Sequence, residues 1–408
     1  MADDLALTAP PQAPDADATA RRTESHYGLR RRTLDRMRSK TTDLDKVPMR
    51  IDPKIYTDPA HFERERATLF RETPILACLS LDIPGPGDMK IFDALGPSIL
   101  IVRDKEGKVN AFLNMCMHRA AKLVTECNRK TRMTCRFHGW TYDLTGKLIG
   151  LPGKEGFEGI EREELSLVRV PVAEWKGMVF VRGTPGGAPI DVADHLGDFG
   201  DELAALELDK AVPTASSRLE CDANWKYAYD TYGESYHFAT LHPTTIGALA
   251  YSNIMVYDAF DNGHCRLGFP REEFMDYADA EEATWPHTDY GGLYMLFPNV
   301  SINVNSMKGG GQFYGISRVF PGERVDRSFS LLDTYQPAHS SNRDEIERWR
   351  EMHAFIQHVV STEDYSVSRD GQDNLRWAPE GFRTVLGRNE IALQHFHRRL
   401  ASIVGPPA

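Results

Sequence analysis

Two short runs constrain this chain more than anything else in it: Cys116-Met117-His118 and Cys135-Arg136-Phe137-His138-Gly139-Trp140. Each pairs one thiol with one imidazole. A fold that uses them must bring two loops together, so that two thiolates and two imidazoles face a common point. Zinc accepts the same four donors. Zinc fingers, however, usually draw two cysteines from one arm and two histidines from the other, whereas each arm here is mixed.

The mixed pattern is the ligand set of a Rieske-type [2Fe–2S] centre, in which two cysteines hold one iron and two histidines the other. Neutral imidazoles in place of two thiolates lower the cluster's negative charge and raise its potential. The surrounding sequence suits such loops. Strand signals fall at Pro74 to Leu79, Met89 to Phe92, Ser98 to Asp104 and Val109 to Leu113, with a turn at residues 105–108. They predict a small all-β unit running to about Gly183. A helix is expected from Asp58-Pro59-Ala60, where Asp caps and Pro suits the first turn.

The whole chain sets outer limits. Its 408 residues allow two or three compact units, and 41% hydrophobic and 26% charged residues fit a soluble globular enzyme. A net charge of -11 argues against nucleic-acid binding. No apolar run reaches the roughly 20 residues a membrane span needs, and Met1 to Ala20 lacks a signal-peptide core. Six cysteines are too few for a disulfide scaffold, so a reducing cytoplasm is expected. Residues 1–45 read as a disordered lead and a solvated, partly helical arm. The basic run Arg30-Arg31-Arg32 there is a weak candidate for docking an acidic partner. Residues 46–183 form the cluster domain, 184–215 a connector and 216–408 a second, mixed unit. That unit has a helical stretch near Trp225 to Leu241, strand-like runs at Leu293 to Val304 and Phe313 to Val319, a hairpin connection at Gly309-Gly310-Gly311, and helices at Arg343 to Val360 and Arg388 to Val404.

A cluster of this kind relays single electrons, so something else must use them. The second unit holds Asn224-Trp225-Lys226, then Glu234-Ser235-Tyr236-His237 and His242-Pro243. Two histidines five residues apart converge where a helix loosens at its end, and Pro243 is a plausible terminator. Two histidines and one carboxylate make the facial triad of non-haem Fe(II) sites that bind O₂. The carboxylate must come from elsewhere. Thr362-Glu363-Asp364-Tyr365 offers two, which on their own could equally be surface acids.

The run Cys135 to Tyr142 with Gly146, together with Cys116-Met117-His118-Arg119, resembles the Rieske domains of ring-hydroxylating oxygenases. It is less similar to respiratory Rieske proteins, which carry an additional cysteine in each arm. The resemblance implies an α+β architecture: an all-β Rieske domain, then a helix-grip-like catalytic domain whose antiparallel sheet is covered by helices. It implies a [2Fe–2S] cluster on Cys116, His118, Cys135 and His138, and mononuclear Fe(II) on His237, His242 and Asp364. Asp364 is preferred to Glu363 because Gln372 follows at the family's spacing. Glu234 takes the place of a bridging acid, expected to bond His237 and the equivalent of His138 in a neighbouring subunit. Asp230 replaces an Asn of several aromatic dioxygenases, which implies a catalytic role that alters local charge or substrate choice. By position, Thr231 and Phe238 line the substrate pocket.

The same resemblance implies a terminal oxygenase fed by a separate NAD(P)H-dependent flavin reductase, with or without a ferredoxin. It implies a homotrimer, with or without a β subunit, acting on O₂ and a small hydrophobic or aromatic molecule. Ring hydroxylation is the leading reaction and oxidative O- or N-demethylation the alternative. A non-enzymatic rival is a Rieske electron carrier, which gives His237, His242 and Asp364 no role.

Overall fold

The computed structural model describes residues 15–127, 129–285, 290–306, 312–338 and 343–407. The Gly309-Gly310-Gly311 hairpin and the first fourteen residues of the lead lie outside the described residues. Two compact units emerge: Arg66–His195, and the chain on either side of it, up to Glu65 and from Leu196 onward. No helix among the described residues is long and apolar enough to cross a membrane.

The larger unit begins with α1 (Ala16–Ser39), capped by the Asp15 carboxylate on the Asp17 and Ala18 amides. The sequence reads this helix as solvated because it is rich in charge. In fact Leu29 and Leu34 are buried, and so is Arg30, whose guanidinium lies 5.3 to 5.8 Å from the rings of Tyr27, Phe274, Tyr277 and Trp285. Cation–π contact lets a charged residue join an apolar core, and composition alone hides that. Nor does the basic run await a partner: Arg31 forks onto Glu282 and Arg32 onto Asp258 within the chain. Helix α2 (Pro59–Glu72) starts as expected, with Asp58 accepting from the Ala60 amide at 2.8 Å.

The Arg66–His195 unit contains three antiparallel three-stranded sheets. They comprise β1 (Ile75–Leu79) with β8 (Val172–Trp175) and β9 (Met178–Val181), β2 (Met89–Phe92) with β3 (Ile99–Arg103) and β4 (Val109–Leu113), and β5 (Met133–Thr134) with β6 (Thr141–Tyr142) and β7 (Leu148–Gly150). The 105–108 turn is set by Asp104, whose carboxylate accepts the Glu106 and Lys108 amides. Phe112, Trp140 and Tyr142 fill the core, and Cys116 and Cys135 are part of it.

Behind Leu196 lies a seven-stranded antiparallel sheet. Strands β11 (Val256–Ala259), β12 (Cys265–Gly268), β13 (Gly292–Leu296), β14 (Val300–Ser306), β15 (Gln312–Pro321) and β16 (Ser328–Gln336) follow one another as a meander, and β10 (Val212–Cys221) pairs with β16 at the far edge. The single run read from Leu293 to Val304 is two strands, because Pro298, which lacks an amide donor, sits in the turn between them. Helices α3 (Trp225–Asp230), α5 (Arg343–Val359) and α6 (Tyr365–Leu375) pack against β10, β15 and β16, and α7 (Ile391–Val404) ends the unit. The stretch read as one helix from Trp225 to Leu241 is broken: α3 stops at Asp230 and α4 (Phe238–Leu241) follows after a gap that holds Glu234 and His237. The α+β class and the helix-covered antiparallel sheet are as expected.

Candidate metal centres

The two Cys/His loops are built on one backbone plan. The Ala120 amide donates to the Cys116 carbonyl at 2.9 Å, and the Gly139 amide to the Cys135 carbonyl at 3.0 Å. Each loop is then closed by a second bond, from the cysteine amide to Ala121 in one and to Trp140 in the other, both at 2.8 Å. Ala120 and Gly139 both take the left-handed conformation, φ 56° and 75°, which glycine adopts at no cost. This repeated turn aims both side chains of each loop at one place. Nδ1 of His118 lies 3.1 Å from Nδ1 of His138. The Tyr142 hydroxyl reaches Cys116 Sγ at 3.4 Å. Burial, with the neighbouring Cys135 adding to it, pushes the Cys116 thiol up. Two buried thiols beside two converging imidazoles suit an iron–sulfur cluster, whose cationic irons make both thiolates stable. The cysteines are buried, while His138 is exposed, so the imidazole edge faces outward.

The second centre lies on three pieces of chain. His237 and His242 flank the short helix α4, and Asp364 ends the π-helical turn Val360–Asp364 between α5 and α6. A wider turn of this kind re-aims side chains and occurs often at functional sites. One donor atom from each residue lies within 4.8 Å of the others. Asp364 Oδ1 is 3.2 Å from His242 Nε2 and 3.6 Å from His237 Nε2, yet it accepts no hydrogen bond and is buried. A buried carboxylate oxygen without a donor costs free energy. A cation among the three side chains removes that cost, so the residues fit an iron.

Each histidine is held from behind by a glutamate. Nδ1 of His237 donates to Glu234, whose carboxylate also takes the Tyr236 and His237 amides. Nδ1 of His242 donates to Glu363, which Thr245 also bonds at 2.7 Å. Both Nε2 atoms therefore face Asp364. Burial opposes the charged form of His242, but Asp364 and Glu363 outweigh it and raise its pKa. Glu363 is the functional candidate that sequence reasoning misses: the sequence offers it only as a rival ligand, and nothing local shows that it reaches Thr245 and His242.

The flanking motif turns out to be scaffolding. Asn224 caps α3 with its side chain, and its amide donates to Gln372 Oε1 at 3.0 Å. Trp225 and Lys226 both bond the buried Glu65, at 2.9 and 2.7 Å. Helices α3 and α6 meet closely at Gly371, where a Cβ would stand 2.2 Å from the Tyr227 hydroxyl oxygen. Asp230 is held by His397 Nε2 at 2.9 Å and by the Tyr56 hydroxyl at 2.8 Å, and it does not line the cavity described next.

A cavity of about 280 Å³ opens onto His237, His242 and Asp364. Thr231 and Phe238 line it, with Phe269, Leu293, Phe313 and Phe355. Tyr232 also lines it, its phenol pushed up to about 12 by burial and so neutral. Tyr294, Leu296 and Phe297 are buried in the core and do not line it.

Comparison with known proteins agrees with this division. The Rieske [2Fe-2S] domain family matches residues 73–170, and the family described as ring hydroxylating alpha subunit (catalytic domain) matches residues 208–405. The chain is 26% identical over 374 residues to the carnitine monooxygenase oxygenase subunit of Escherichia coli K12, covering 86% of this chain and 93% of that one. It is 28% identical over 204 residues to the biphenyl 2,3-dioxygenase α subunit of Rhodococcus jostii RHA1, covering 48% and 44%. In fold it is similar to a quaternary ammonium Rieske monooxygenase in complex with L-carnitine, with TM-score 0.72, 22% identity and coverage of 87% and 96%. The catalytic-domain match removes the reading as an electron carrier alone. With a Rieske domain that binds a [2Fe–2S] cluster and a catalytic domain that binds mononuclear iron, the chain belongs to the Rieske oxygenases as an α, or terminal oxygenase, subunit.

Proposed function

We propose that Cys116, His118, Cys135 and His138 hold the cluster, that His237, His242 and Asp364 hold the iron, and that the adjoining cavity takes a mainly apolar organic molecule for oxygenation. The observation that carries this reading is the unbonded Oδ1 of Asp364, facing two imidazole nitrogens at the wall of an apolar cavity. When bound, the cluster supplies electrons and the iron supplies O₂ activation. The chain's own part is geometry and exclusion of water. Glu234 and Glu363 hold the protons on the Nδ1 atoms and so keep each Nε2 free as a ligand. The aromatic and aliphatic walls displace water from the substrate.

Terminal oxygenases of this family take electrons from a reductase or ferredoxin and act as oligomers. For this chain the specific donor is an NAD(P)H-dependent flavin reductase, and the assembly is a ring of three. The exposed His138 edge of one subunit then faces Glu234 of its neighbour, which couples the two centres. Two reactions stay in view. The apolar walls favour hydroxylation of an aromatic or other hydrophobic substrate, whereas similarity along most of the chain to a carnitine monooxygenase subunit favours monooxygenation of an N-alkyl substrate, with oxidative N-demethylation as one form of it. The test is single turnover of pre-reduced protein with ¹⁸O₂ and matched aromatic and N-methyl substrates. Label in one product hydroxyl marks monooxygenation, label in two marks dihydroxylation, and formaldehyde marks demethylation. Oxidation of none, with both metals loaded, would count against the cavity as the substrate site.

A further inference from the structure

The cavity is not apolar throughout. Arg271, Asn303 and Asn305 line it together with the side chains that would hold the iron. Among the described lining residues, Arg271 is the one permanent cation and Asp364 the one carboxylate. We infer that this cavity selects an organic anion: a substrate whose apolar body lies along the aromatic wall and whose carboxylate or sulfonate is received by Arg271 and the two asparagines. This rests on reading the cavity as the substrate site, and it names the class of molecule that fills it.

Three features support the inference. First, the guanidinium is oriented. Its Nη1 donates to Asn305 Oδ1, its Nε lies 3.3 Å from Glu273, and its backbone is pinned where Arg271 bridges Ala250. A guanidinium offers five donors in a planar fork that matches an oxyanion, and these contacts fix the direction in which the fork lies. Second, Glu273 pairs with the guanidinium from outside the cavity: it is not among the described lining residues, and both side chains are largely buried. Third, Asn303 and Asn305 stand two residues apart on β14 and so share a face of the sheet, with the Asn305 amide 3.4 Å from Asn303 Oδ1. Amides at this position add donors for an anion without adding charge.

The same geometry argues against a simple cation. Aromatic faces alone would accept a quaternary ammonium. Here the lining carboxylate, Asp364, would hold the metal, and the other permanently ionic group among the described lining residues is the Arg271 guanidinium. An ammonium bearing no acid would meet that guanidinium with no second carboxylate among the described lining residues to receive it.

Three probes with one apolar body decide the matter: 4-phenylbutanoate, its primary amide, and (3-phenylpropyl)trimethylammonium. Their affinities for the metal-loaded protein are read by anaerobic titration calorimetry, without turnover. The carboxylate should bind about tenfold to a hundredfold tighter than the amide, the range of a charge-assisted hydrogen-bonded pair. Arg271→Gln should remove that margin while leaving amide affinity within about twofold, and Arg271→Lys should keep part of it, since Lys holds the charge but loses the fork. Equal affinities for carboxylate and amide, tightest binding of the ammonium, or a carboxylate affinity untouched by Arg271→Gln would each overturn the inference. Should Arg271→Gln fail to fold, the wild-type ranking of the three probes still decides. Iron content and the Asp364→Ala variant test the metal site separately, so failure of the anion preference and failure of the oxygenase site are told apart.

Discussion

Oδ1 of Asp364 stands 3.2 Å from Nε2 of His242 and, though buried, accepts no hydrogen bond. His237 offers its Nε2 to the same point, and each histidine turns its other nitrogen to a glutamate. The site is thus a pair of Glu–His units facing one carboxylate. The carboxylates behind the imidazoles fix ring orientation and tautomer, and such partners matter nearly as much as the ligands.

Glu363 should therefore act through His242. Glu363→Ala is expected to weaken iron binding about tenfold to a hundredfold, as measured by chelator competition, while the visible spectrum of the cluster stays as in wild type. Unchanged iron affinity would show that the Glu363–His242 contact orients nothing.

Glu234 occupies the equivalent place behind His237, with a second expected duty between subunits. Glu234→Gln keeps an acceptor for Nδ1, so iron content should hold. Electron transfer from reduced cluster to iron, followed by rapid mixing, should slow at least about tenfold. Retention of wild-type transfer would remove the bridging role.

The degree to which the sequence carries this structure differs from site to site. The cluster loops were legible because Cys and His fall within four residues in each arm. His237 and His242 were legible as a pair for the same reason of nearness. Asp364 lies more than a hundred residues away, and a π-turn that no propensity reveals aims it, so only the family's spacing selected it. Asn224, Trp225 and Lys226 marked the right place for a structural reason: they anchor α3 to Glu65 and Gln372. The partners of Asp230, Tyr56 and His397, come from distant segments that nothing near it in sequence reveals. Helix α1 was misread because its buried arginines look like surface in any composition count.

That misreading gives a stability test. Leu29 is fully buried in the cluster of Tyr27, Leu34, Val256 and Trp285. Leu29→Ala should cost about 2–5 kcal/mol in denaturant unfolding, whereas Leu44→Ala, at an exposed position, should stay within about 0.5 kcal/mol. A negligible loss at Leu29 would return α1 to the status of a solvated arm.

His353 joins α5 to the sheet, with Nδ1 3.1 Å from Thr334 Oγ1 and Nε2 3.0 Å from Ser217 Oγ. Burial lowers its pKa below the ordinary 6.5, against a weaker pull from Asp333. The unfolded chain thus takes up this proton first. The contribution to stability is complete above pH 6.5 and falls away as pH drops from there towards the folded value. His353→Gln should flatten this part of the stability profile between about pH 7 and 5. An unaltered slope would mean that other groups govern it.

The central claim, that the His237–His242–Asp364 triad is an iron site served by the cluster, meets its most direct test in Asp364→Ala. Iron and cluster are measured on the same preparation, by metal analysis and by EPR of the reduced cluster, alongside electron consumption coupled to product. The account predicts an intact cluster signal, loss of the mononuclear iron and abolished coupled turnover. Mononuclear iron and turnover both at wild-type level in that variant would contradict it.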